Sequence, residues 1–241
     1  GQAAHRPAPL SIGLIAARPF GRSWQPLADA ALQAGHRIVR IALSDCAISL
    51  ATAPATLLHD GHPAAVLDAA VIEPDAASPT FGLAVHRLLE DLGTVTQNSS
   101  ARTVVALDPF QTAEALRAQG IPLASNVLQP DMALNADVIT HSRCLIVEGK
   151  VAAVTASGSR GLPVTRQARA LAIRAARALD LRLATVTLID ASGSVAVAAL
   201  SPSPAFDHFE NADNLISARL LIKALAQRAA TRANAAAMPP A

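Results

Sequence analysis

The 241-residue chain has no tyrosine, one tryptophan and five phenylalanines, so aromatic residues make up only 2% of it. Stacking platforms for nucleobases are nearly absent, and 20 Lys and Arg against 18 Asp and Glu leave a net charge of +2 that is scattered along the chain. Both features argue against nucleic acid as the main partner. Long apolar runs are missing as well. Each is broken by Asp, Gly, Ser or Pro before the roughly 18 residues that a membrane-spanning helix needs, and no signal-peptide pattern opens the chain, so no membrane partner is expected. Cysteine is scarce: Cys46 and Cys144 lie far apart without metal-ligand spacing. Two reduced, mostly buried thiols and a cytoplasmic location are the reading.

What is present is 51% hydrophobic, drawn largely from Ala and aliphatic residues that suit packed helices and buried strands. Residues 1–9 are polar and Ala/Pro-rich and read as a disordered leader. Leu10–Ala16 predicts a buried first strand, Arg18-Pro-Phe-Gly-Arg22 a loop, Trp24–Ala34 a helix closed by Gly35, and His36–Leu43 a second strand. This order is a parallel βαβ start, whose ligands sit outside the carboxyl ends of the strands. His59-Asp-Gly-His62 reads as a hairpin turn in preference to a zinc site, because no third or fourth ligand lies nearby. Asp68–Glu73 predicts a strand, Pro79–Leu92 a helix ended by Gly93, Thr94–Gln97 a short strand, and Asn98-Ser-Ser100 an N-cap cluster. Helical material then continues to Gln119, interrupted near Pro109.

In the second half, Arg143–Val154 gives two strands around the turn Glu148-Gly-Lys150. Val164–Leu179 predicts a helix carrying Arg166, Arg169, Arg174 and Arg177, read as a solvated face. Two further β-rich runs, Thr185–Ile189 and Val195–Leu200, flank Asp190-Ala-Ser-Gly-Ser194 and lead through Ser-Pro-Ser-Pro to a last helix, Asp213–Arg228. The Ala-rich end beyond it reads as fraying.

These blocks resemble, in order, the ATP-grasp ligases of the RimK type. Their N-terminal α/β domain ends in a strand, an Asn-containing turn and an Ala-Arg helix, matched here by Asn98 and Ala101-Arg102. It continues with an Asp-Lys pair starting the helix before a Gly-Ile/Leu-Pro turn, matched by Asp108-Pro109 and Gly120-Ile-Pro122 with Pro109 in place of the lysine. Arg143 matches the family's Asp-x-Arg element with His141 in the acid's place. Ser203 and Pro204 match the end of the family's Glu-x-Asn-x-Ser-Pro-Gly motif. At the magnesium ligands the chain departs from the family, with Thr187 for the Asp, Ala199 for the Glu and Ser201 for the Asn. Between Ile121 and Arg143 some twenty residues stand where the family carries its ATP-binding subdomain and second lysine.

The resemblance implies an α/β chain with a Rossmann-like pre-ATP-grasp domain over 10–122 and a reduced ATP-grasp part over 123–230, with 1–9 and 231–241 disordered. It implies a protein that has lost its ATP and magnesium machinery and binds neither. Three readings follow. The first is a ligand-binding or accessory protein, acting on a cofactor such as a pterin one-carbon carrier or on a cofactor-using enzyme. The second is another enzyme working in the remodelled cleft through groups that include His141, Asp207 and His208. The third is a glutamate ligase completed by a partner chain. The expected ligand is small and anionic, held between the two halves by Arg18, Arg22, Glu73, Asn98, Arg143, Arg160, Asp207 and His208. Loss of the subdomain is also expected to uncover apolar sheet surface and to favour a homodimer.

Overall fold

The computed structural model describes residues 8–74, 78–124, 141–157, 164–191, 193–209 and 211–237. The chain falls into two compact units: residues 1–96 together with 222–241, and residues 97–221.

In the first unit, β1 (Ser11–Ala16) is buried throughout and lies in a four-stranded parallel sheet with β2 (Arg37–Ala42), β6 (Ala69–Ile72) and β7 (Val95–Thr96), in the order β2-β1-β6-β7. A continuous apolar run with both faces covered is what a central parallel strand requires. The helix α1 (Gln25–Gln33) joins β1 to β2, and α2 (Pro79–Asp91) follows β6. Val85, Leu88 and Leu89 of α2 pack on Ile15, Ile41, Ala70 and Ile72. A separate small sheet carries β3 (Cys46–Ser49), β4 (Thr56–His59) and β5 (His62–Pro63). The β4–β5 hairpin turns at Asp60 and Gly61, whose φ angles of 52° and 77° are the left-handed pair that an Asp-Gly turn supplies. The hairpin read at His59–His62 is therefore present, whereas β3 lay outside the sequence reading.

The second unit is built on an antiparallel sheet, β11-β10-β8-β9, from β8 (His141–Val147), β9 (Lys150–Ser157), β10 (Leu183–Ala191) and β11 (Ser194–Ser201). The β8–β9 turn uses Glu148 and Gly149 at φ 48° and 73°. The helix α5 (Arg166–Ala178) buries Ala168, Leu171, Ala172, Ala175 and Ala176 against Cys144, Ile146, Ala184, Val186 and Leu188. Two helices precede the sheet, α3 (Ser100–Leu107) and α4 (Pro109–Ala118). Ser99 caps α3 by accepting from the Arg102 N–H, and Asp108 caps α4 by accepting from the N–H groups of Phe110 and Gln111. Pro109 is then the first residue of α4, where a missing N–H costs nothing.

Ala106, Leu116 and Ile121, which precede residue 122, join the core of the second unit. One expectation about the elements is corrected. The last helix, α6, runs Asn211–Ala237 instead of ending at Arg228, so residues 231–237 are helical; alanine is the strongest helix former and no breaker intervenes before Pro239. The leader lies outside the described residues up to position 7, as do 238–241. β8 and most of β10 are buried at consecutive positions, hence on both faces, so these two strands leave no apolar surface bare. Among the described residues the large exposed apolar side chains lie partly in loops, at Phe20, Leu50 and Val66, and partly on helices, among them Val104, Leu107 and Phe110.

Candidate functional site

Parallel strands deliver their following loops to one edge of the sheet. β1 and β6 are hydrogen-bonded neighbours, with Ile15 in register with Ile72, and the Glu73 N–H donates to the Ile15 carbonyl at 2.8 Å. Arg18 and Arg22 in the loop after β1 and Glu73 after β6 therefore share the carboxyl rim of the first unit. Both arginines are exposed and make no hydrogen bond or ion pair with a described residue; Glu73 is half-buried. Arg40, from β2, shapes the loop: its guanidinium donates to the Pro19 carbonyl at 2.6 Å and to Gln25 Oε1 at 3.3 Å, and lies 5.6 Å from the Phe20 ring centre. Sequence reasoning passed over Arg40, although a second cation after Arg37 in a short and otherwise apolar parallel strand was a usable signal. The same rim holds a cleft of about 340 Å3 lined by Leu43, Ser44 and Cys46 after β2 and by Ser78, Phe81 and Gly82 at the start of α2. Burial, with Asp45 and Asp60 nearby, pushes the Cys46 thiol up to about 11.

On the hairpin, ligand atoms of Asp45, His59 and Asp60 lie within 4.8 Å of one another. The group is partly or fully exposed, and exposed acidic groups of this kind are common without an ion, so we assign no metal to it.

In the second unit, Asn98 is 2% exposed. Its amide nitrogen donates to the carbonyls of Leu183 and Pro202, and its oxygen accepts from the N–H groups of Arg182 and Leu183, all between 2.9 and 3.2 Å. Those four bonds use the whole capacity of the side chain, so Asn98 staples backbone and has nothing left for a ligand. Arg143 is half-buried in β8, in register with Thr155 on one side and Thr187 on the other, and Thr187 faces Ala199 on β11. This row across the sheet offers one guanidinium, two hydroxyls and a methyl group, and no carboxylate. Ser201 pairs with Thr185, and its hydroxyl accepts from the Ser203 N–H. Asp207 and His208 fall in a short 3-10 turn, with His208 exposed. Arg160 lies outside the described residues. Arg18, Arg22 and Glu73 are thus grouped within the first unit, while Asn98, Arg143, Asp207 and His208 belong to the second.

Residues 10–102 match the RimK PreATP-grasp domain family. A probable alpha-L-glutamate ligase of Coxiella burnetii is 22% identical over 290 residues, covering 91% of this chain and 96% of the relative. Because 91% of 241 residues is about 219, about 70 of the 290 aligned positions have no counterpart here, and the near-complete coverage of both chains puts those gaps inside the alignment. Among solved structures, the ATP-grasp ligase PsnB complexed with minimal precursor, Mg and ADP superposes with a TM-score of 0.65 at 16% identity, over 90% of this chain and 98% of that one. A RimK domain ATP-grasp protein from Sphaerobacter thermophilus gives 0.64 at 14% identity, over 88% and 98%. The fold is mixed α/β with a pre-ATP-grasp N-terminal domain, and the chain as a whole is similar to RimK-like proteins of the ATP-grasp superfamily.

Proposed function

We propose that the chain is a RimK-like protein that has given up ATP-dependent ligation and works as a ligand-binding or accessory protein. The observation that carries this reading is the row Arg143, Thr187 and Ala199. Magnesium takes hard oxygen ligands in near-octahedral order, and carboxylates supply its charge neutralisation in phosphoryl-transfer sites. A threonine hydroxyl, an alanine methyl and a serine hydroxyl already accepting from its own turn do not fit it. Pro109 at the helix start, where the family resemblance places a lysine, removes a cation as well, and the shortening relative to the Coxiella protein agrees with loss of a subdomain.

The ligand we assign to the carboxyl rim of the first unit is small and anionic, a pterin-type one-carbon carrier being one candidate. Arg18 and Arg22 are uncommitted cations on the rim that also holds the cleft of about 340 Å3, though neither lines it, and a guanidinium fork grips carboxylate or phosphate through paired bonds. A cofactor-using enzyme and a second copy of the chain are the partners in this reading. Retained glutamate-ligase activity is the second reading, favoured by the name of the Coxiella relative.

Incubation of the purified chain with ATP, magnesium and glutamate, with and without cell extract as acceptor, separates the two. ADP release at the level of the extract alone is expected. Release that requires the chain and scales with its concentration would establish the ligase.

A further inference from the structure

The outer face of α5 carries charge that no described carboxylate answers. Arg166, Arg169, Arg174 and Arg177 are all exposed, and no Asp or Glu occurs between Arg166 and Ala178. At 3.6 residues per turn the four fall within an arc of about 140°, opposite the buried alanines. Three arginines elsewhere are matched with acids: Arg87 with Asp91 at 3.1 Å, Arg102 with Asp180 at 3.3 Å, and Arg182 with Glu148 at 3.0 Å. On α5, Arg174 donates to the Gln119 carbonyl at 3.2 Å, and none of the four pairs with a described carboxylate. Arg177, in the last turn, suits the helix dipole, but the rest of the arrangement works against it. Arg166 sits in the first turn, where the helix dipole disfavours a cation, and Arg166/Arg169 and Arg174/Arg177 are like charges three residues apart.

We propose that this face docks an acidic polypeptide segment. Guanidinium groups bind carboxylates in paired, charge-assisted bonds, which suits Glu and Asp side chains. Gln167 and Ala170, the exposed residues between the arginines, offer no aromatic ring to stack on a base, and the one large apolar residue within the arc, Ile173, is half-buried and packed against the core, not free to enter a lipid surface. From Arg166 to Arg177 the face is about 16 Å long, the reach of about five extended residues. The segment recognised is therefore a short acidic run. The proposal goes beyond the reading of lost ligation and stands whether or not ATP is used.

Fluorescence anisotropy of a labelled ten-residue polyglutamate peptide against the full chain, at 50 and 150 mM salt, tests it. Arg166→Gln with Arg169→Gln, and separately Arg174→Gln with Arg177→Gln, are expected to weaken binding about fivefold or more each. Arg87→Gln with Arg102→Gln removes the same charge from acid-paired positions and is expected to change it less than about twofold. If the glutamine variants lose helix by circular dichroism, the fourfold Arg→Lys variant carries the test: it keeps the charge and loses affinity because the paired geometry is gone. No binding by the wild type at 50 mM salt, or equal losses in the Arg87/Arg102 control, would overturn the proposal. So would tighter, α5-dependent binding of a ten-nucleotide oligothymidylate or of phosphatidylserine vesicles.

Discussion

Asn98 and Thr187 lie in the same unit, and the family resemblance attached an expectation to each. They have met different fates. The Asn98 amide keeps four hydrogen bonds to Arg182, Leu183 and Pro202, tying the start of β10 to the turn after β11. Around Thr187 the strand pairing to Arg143 and Ala199 persists, but the row carries no carboxylate. The difference is physical. Buried backbone groups need partners whatever the protein does, so a side chain that supplies them is required by the fold itself. Clustered carboxylates repel one another and cost desolvation unless a cation answers them, so they are a burden once the cation is no longer used.

The largest effect that would break this contrast is at the staple. Asn98→Ala strands buried backbone groups and is expected to cost about 3–5 kcal/mol in chemical denaturation, through several unsatisfied donors and acceptors at once. A loss below about 1 kcal/mol would mean that the strand ends hold without it. Thr187→Val is expected to cost less than about 1 kcal/mol by the same measurement, since only a hydroxyl is exchanged. A loss as large as that of Asn98→Ala would show a structural role for the row.

The staple was the least legible feature of the sequence. Asn98 sits beside two serines and reads locally as part of an N-cap, yet its partners lie 84 to 104 residues further on, where no local pattern reaches. Turns were legible because Asp60-Gly61 and Glu148-Gly149 meet a backbone requirement on the spot, and helix ends because Gly35, Gly93 and Gly120 supply positive φ. The C-terminal helix was misread because an alanine-rich, weakly amphipathic stretch looks like low complexity although each residue favours helix. At the candidate site, Arg18 and Glu73 could be placed on one rim from strand order alone. The Arg40 clamp and the cleft beside Cys46 needed coordinates.

The first unit sharpens the comparison through its titratable groups. Burial lowers the His36 pKa, and its Nδ1 accepts from the Leu10 N–H, so the neutral ring is the folded form. The contribution of a group whose folded pKa is depressed is fully present above its unfolded value of about 6.5 and is lost as pH falls toward the folded pKa. Denaturation midpoints are therefore expected to decline below pH 6.5, and His36→Gln is expected to flatten that decline; an unchanged slope would locate it elsewhere. The smallest effect concerns Cys46. Its thiol stands at about 11, with burial as the first cause and Asp45 and Asp60 adding to it. Asp45→Asn with Asp60→Asn is expected to speed its alkylation at pH 8 by about a few-fold, because removing the two charges raises the thiolate fraction. No change would mean that burial alone sets its reactivity.

The most direct measurement on the lost-ligation reading is isothermal calorimetry of ATP into the chain, with and without magnesium. No magnesium-dependent heat at millimolar ATP is the expected result. Micromolar binding that requires magnesium would contradict it and return the chain to the working ligases.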